Sequence, residues 1–154
     1  MKKTFLIFLS IMLIIPTLTA CNLVKKERAD LPTFEAISIS AGLRRVSVDT
    51  TQLPSYDDVS ALTNADNSYQ VEFYDMSSSG DAQTLFNTIK QEIEASHSDF
   101  TTTSNINGTN YTTKQYTIKN CYHLVTVVED TVFYGYTETD GSTPIVAISN
   151  ELGY

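Results

Sequence analysis

Tyr111 to Thr137 reads YTTKQYTIKN CYHLVTVVED TVFYGYT, and this run decides the fold. β-Branched and aromatic residues fill it, broken at two polar pairs, Lys119-Asn120 and Glu129-Asp130. Two-residue breaks between such runs predict three antiparallel strands joined by hairpins, although neither pair is the favoured Asn-Gly type. Hairpins this short set the register, because residues facing each other share one side of the sheet. One side collects Tyr116, Ile118, Cys121, His123, Val125, Val127, Val132, Tyr134 and Tyr136. The other collects Thr113, Gln115, Thr117, Tyr122, Leu124, Thr126, Val128 and Phe133. The first side is the more apolar and is expected to pack on helices.

Working outward, Tyr69 to Tyr74 alternates as a strand, with Tyr69, Val71 and Phe73 facing inward. Ser77 to Gly80 turns the chain into a helix whose stripe is Ala82, Leu85, Phe86, Ile89 and Ile93. Before it, Thr33 looks like a helix N-cap with Phe34, Ile37 and Ala41 at helical spacing and Gly42 as a stop, although Ile37 to Ser40 also alternates as a strand. Leu43 to Val48 reads as a strand. Thr50 to Ser68 reads as a connector holding one short helix, with Ser55 and Asp58 as a cap-like pair and Tyr56, Val59 and Leu62 on its apolar edge. Thr101 to Asn110 reads as a polar loop, and Thr143-Pro144 opens a last helix with Ile145, Ile148 and Leu152 inward. Successive hairpins favour an α+β fold: an antiparallel β-sheet with helices packed on one face, a two-layer sandwich spanning residues 32–154.

The N-terminus has a different logic. Lys2 and Lys3 precede an apolar run from Phe5 to Ile15, too short for the ~20 residues that span a bilayer. Leu18-Thr19-Ala20-Cys21 follows, and this segment resembles the bacterial lipobox. The resemblance implies that residues 1–20 are a cleaved export signal and that the Cys21 thiol receives a diacylglyceryl group. Two acyl chains, each methylene contributing ~0.8 kcal/mol, hold a protein stably on a membrane where one does not. The expected location is the outer side of the cell membrane, lipid-anchored, with residues 21–31 as a tether. The stretch from Tyr69 through Tyr136 resembles that of small uncharacterised Gram-positive lipoproteins, which implies no activity.

Charge and cysteine count narrow the function classes. The chain carries 18 acidic and 10 basic side chains, so losing Lys2 and Lys3 takes the net charge from −8 to about −10. Such a domain is repelled by phosphate backbones, which argues against nucleic acid as a partner. Lys25, Lys26 and Arg28 cluster beside the anchor, where they either meet anionic head groups or form a plain solvated tether. With Cys21 lipidated, Cys121 is left without a disulfide partner, so stability falls to the packed core.

Few residues suggest chemistry. Ser96-His97-Ser98-Asp99 contains the residue types of a hydrolytic triad, but adjacency in sequence is not convergence from separate elements. Cys121 and His123 lie two apart on one strand face, about 6.5–7 Å between Cα atoms, and define the alternative of a thiol-dependent enzyme. Asp57-Asp58 and Asp66-Asn67 lack the ligand spacing of a calcium loop, and no cofactor or metal is expected. The main expectation is a non-enzymatic binding or assembly role, with the membrane and an envelope protein as partners. Tyr122, Leu124 and Phe133, on the less apolar side, are the candidate binding patch unless the C-terminal helix covers them as a second core layer.

Wild-type protein should partition into the detergent phase and carry acyl mass on Cys21, and Cys21→Ala should abolish both. Unmodified, soluble wild-type protein beginning at another residue contradicts the anchor.

Overall fold

Alternating β-branched and aromatic residues become strands here because both sides of the sheet they build are covered. A computed structural model describes residues 25–96, 101–138 and 141–154. The expected export signal at residues 1–20, the expected lipidation residue Cys21, and His97 to Asp99 lie outside the described residues. The elements run α1 (Leu31–Ser40), β1 (Arg44–Val46), β2 (Tyr56–Thr63), β3 (Tyr69–Met76), α2 (Ser79–Ser96), β4 (Thr101–Asn107), β5 (Tyr111–Ile118), β6 (Cys121–Val128), β7 (Thr131–Thr137) and α3 (Thr143–Leu152). The strands form one sheet in the order β1-β2-β3-β7-β6-β5-β4, antiparallel at every junction. It is an α+β sandwich made of two meanders, β1–β3 and β4–β7, linked by α2 and sealed where β3 pairs β7.

The hairpins fall where expected. Ile118 pairs Cys121 around Lys119-Asn120, and Val128 pairs Thr131 around Glu129-Asp130. Lys119 and Glu129 supply the left-handed backbone these turns need, at φ 51° and 54°. The two sides of the sheet therefore partition as the sequence predicts, with Tyr116 beside His123 and Val125 beside Tyr134.

The helices do not gather on one face. α2 packs Leu85, Phe86, Ile89 and Ile93 onto the side bearing Tyr116, Val125 and Val132. α1 and α3 cover the other side, where Phe34, Ile145 and Ile148 meet Phe73, Leu124 and Phe133. The reason is visible in β3: Val71 and Phe73 face one layer while Tyr74 and Met76 face the other, and all four are buried. An aromatic quartet pins the α1/α3 layer, with Phe34 stacked on Phe73 at 5.3 Å and edge-on to Phe133 at 6.2 Å. Tyr154 closes it at 6.1 Å from Phe73 and 6.5 Å from Phe133. Gly135 on β7 is required by this packing, since a Cβ there would lie 2.4 Å from Ile145.

Three local expectations are corrected. Residues 56–63 form β2 rather than a short helix, because Val59 and Leu62 point to opposite covered faces and two-sided burial mimics helical spacing. Residues 101–107 form the edge strand β4 rather than a loop, paired with β5 through a register shift between Thr102 and Ser104. α1 begins earlier than Thr33: Asp30 is the cap, its carboxylate accepting the Thr33 N–H at 2.8 Å, with Pro32 in the first turn.

The segment preceding α1 is strapped to the domain. Lys26 and Asn110 exchange two bonds: the Lys26 N–H donates to Oδ1 at 3.0 Å and Nδ2 donates to the Lys26 carbonyl at 2.8 Å. Arg28 bridges Asp75 and Asp130, Lys25 pairs with Glu129 at 3.3 Å, and the Ala29 N–H donates to the Tyr154 hydroxyl at 3.2 Å. Lys26 Nζ sits 5.0 Å from the Tyr111 ring centre. These contacts replace the plain solvated tether with a segment held against the domain.

Phe133→Ala should lower stability by about 3–5 kcal/mol, read by urea unfolding, since it empties the middle of a closed layer. Loss of under 1 kcal/mol would show that this side of the sheet is not core.

Candidate functional site

On the α2 side of the sheet, the apolar packing is interrupted by polar residues. Gln70, Glu72 and Tyr74 alternate onto this face of β3, and β7 brings Tyr134 directly opposite Glu72. β6 adds His123, paired with Tyr136. Leu85, Ile89 and Ile93 of α2 and the connector around Asp49 and Leu53 stand around these groups without filling the space between them. The result is an open cleft of about 390 Å³ along the C-terminal half of α2. That volume falls in the range of small-ligand sites.

Its floor is a chain of hydrogen bonds. Gln70 Nε2 donates to one Glu72 carboxylate oxygen at 2.6 Å, and the Tyr74 hydroxyl donates a short bond to the other. Burial pushes the Glu72 carboxyl above the ordinary glutamate range, against the opposing pull of these two donors. Burial beside Glu72 also raises Tyr74 and Tyr134 well above the usual phenol range, so both stay protonated. The Tyr134 hydroxyl lies 2.9 Å from His123 Nδ1. His123, Tyr134 and Tyr136 stack as a ladder with ring centres 5.6–6.2 Å apart. At the rim, hydrogen bonds from the Thr51 N–H and hydroxyl hold the Asp49 carboxyl below its ordinary range.

The residues singled out from sequence fare differently. Leu124 and Phe133 are buried, at 2% and 0% exposure, beneath α1 and α3. Tyr122 is half-buried at the border of that layer. The three are neighbours, but as core: the exposed-patch expectation is corrected, and the C-terminal helix covers this side. Cys121 is a free thiol, half-buried against the α2 layer, and His123 on the same face is engaged by Tyr134. Ser96 ends α2 at the cleft, while His97, Ser98 and Asp99 lie outside the described residues. Among the described residues no three His, Cys, Asp or Glu side chains converge to hold a metal ion, and no helix is long and apolar enough to cross a membrane.

Sequence reasoning placed His123 and Tyr134 on the right face but missed Glu72. The available signal was Gln70-Val71-Glu72-Phe73-Tyr74, whose polar positions share a face with a buried-length tyrosine. Reading it as a site required knowing that β3 pairs β7.

Comparison with known proteins yields no matching family model and no matching curated protein. Among solved structures, the chain is similar to a GTP-binding regulator from Thermotoga maritima, with a TM-score of 0.48 and 8% identity over 80% of this chain and 84% of that one. It is also similar to the extracellular domain of PknH from Mycobacterium tuberculosis, with a TM-score of 0.42 and 9% identity over 80% of this chain and 89% of that one.

Proposed function

We propose that this chain is a membrane-anchored, extracytoplasmic lipoprotein whose domain binds a ligand or envelope partner through the α2 cleft, without catalysis. The observation that carries the binding reading is the cleft itself: polar side chains of three strands converge on an open recess instead of closing it. The strap supports a tethered arrangement. Four residue steps separate Cys21 from Lys25, a reach of at most about 14 Å at ~3.5 Å per residue. An anchor on Cys21 therefore holds the end carrying Asn110, Glu129 and Asp130 near the bilayer. α2 starts at that end and runs away from it, so the cleft along its C-terminal half faces outward from the membrane.

A photo-crosslinking residue at Thr88, on the cleft rim, should capture a discrete partner in intact envelopes. The same residue at Gln83, exposed on α2 nearer the strap, should not. Equal capture at both sites, or none at Thr88, would contradict binding through the cleft. The thiol-enzyme alternative is tested separately. Native Cys121 should react with a thiol reagent far more slowly than the unfolded chain, because it packs against the α2 layer. Rapid labelling of the folded protein would favour the enzyme.

A further inference from the structure

We propose that the cleft recognises an aliphatic ammonium group, an amine carried on a methylene stem, with the Glu72 carboxylate as its counter-charge. The inference rests on the cleft being the binding site and goes further by naming the ligand chemistry. Glu72 is bonded by Gln70 and Tyr74, both neutral donors. The cleft lining includes no lysine or arginine among the described residues. A carboxylate partly withdrawn from water, as Glu72 is, is stabilised by a cationic partner or by protonation. Among the described residues of the lining no lysine or arginine supplies the cationic half of the pair, and open space stands beside the acid half.

The remaining lining fits the same ligand. Asp49 and Glu92 add two carboxylates at the rim and no compensating cation. Leu85, Ile89 and Ile93 offer an apolar wall along which methylenes can lie. Tyr74 and Tyr134 present rings beside Glu72, and an ammonium gains from a ring face as well as from a carboxylate. An anionic ligand would face three carboxylates, and a neutral one would leave Glu72 without its counter-charge.

Ionisation gives the inference a direction with pH. The groups facing Glu72 are Tyr74 on its own strand, Tyr134 and Tyr136 on β7, His123 on β6, Glu92 on α2 and Asp49 in the connector. The three tyrosines are pushed up and stay neutral, and the part of the pH dependence that belongs to Glu72 is the part that Glu72→Gln removes. Its carboxyl is raised in the folded chain. The stability linked to it is therefore full below the ordinary glutamate pKa and is lost as pH rises through the raised value. A bound ammonium reverses that loss, so affinity should rise with pH over the same window.

The test is calorimetric titration of the full mature lipoprotein, in phosphatidylcholine nanodiscs, with 1,6-diaminohexane and, as the neutral control, 1,6-hexanediol. The diamine should bind at pH 8 and the diol should not. Glu72→Gln should weaken the diamine about tenfold or more, with a melting temperature no lower than wild type at pH 8. Binding should also weaken as pH falls through the raised Glu72 value, and Glu72→Gln should remove that dependence. Diamine binding unchanged in Glu72→Gln, equal binding of diamine and diol, or no diamine binding would each overturn the inference. Equal binding leaves the cleft as a binding site of different chemistry. Absence of both together with loss of Thr88 capture removes the cleft reading as well.

Discussion

The pairing of β3 with β7 is the constraint on which the rest of the molecule depends. Seven residue pairs, from Tyr69↔Thr137 to Asp75↔Thr131, join segments separated by about sixty positions in the chain. Without that seam, the two meanders would each expose a long edge and half of each apolar face. With it, Phe73 and Phe133 come side by side under Phe34 and Tyr154, and Tyr74 and Val132 come side by side under α2. The same seam sets Glu72 against Tyr134. One long-range contact thus closes both layers and creates the floor of the cleft.

Parts of this were legible in the sequence because they are local. The 111–137 hairpins have two-residue turns, and a short turn sets register regardless of what lies elsewhere. The α2 stripe was legible because Ala82, Leu85, Phe86, Ile89 and Ile93 keep strict helical spacing. What escaped was whatever depends on a distant neighbour. β2 looked helical because its apolar residues serve two layers at once, and β4 looked like a loop because an edge strand can be polar. Leu124 and Phe133 looked like a surface cluster because nothing local says that α1 and α3 lie over them. Glu72 escaped for the same reason, since its role appears only once β7 is placed beside β3.

The nine tyrosines find a physical account in this architecture. Tyr74, Tyr116, Tyr134 and Tyr136 lie on the α2 side, Tyr69, Tyr111, Tyr122 and Tyr154 on the other, and Tyr56 is exposed. Their rings build core while their hydroxyls reach polar partners at its margins. Tyr116 donates to Glu94 on α2 at 2.9 Å, Tyr74 donates to Glu72, and Tyr134 meets His123. On the other side, Tyr154 bonds Thr131 and accepts from Ala29, which ties the strap to the core. A tyrosine-rich composition therefore reflects first a need for side chains that are apolar along their length and polar at the tip. The cleft forms where those tips cluster around Glu72, with no lysine or arginine in its lining among the described residues.

Glu72 is the centre of the account, and its ionisation can be observed directly. Titrating the side-chain carboxyl carbon of Glu72 by NMR should give a pKa above the ordinary glutamate value, falling when 1,6-diaminohexane is added. An ordinary pKa that the diamine leaves unmoved would show that Glu72 is neither desolvated nor waiting for a cation, and the central claim would fail.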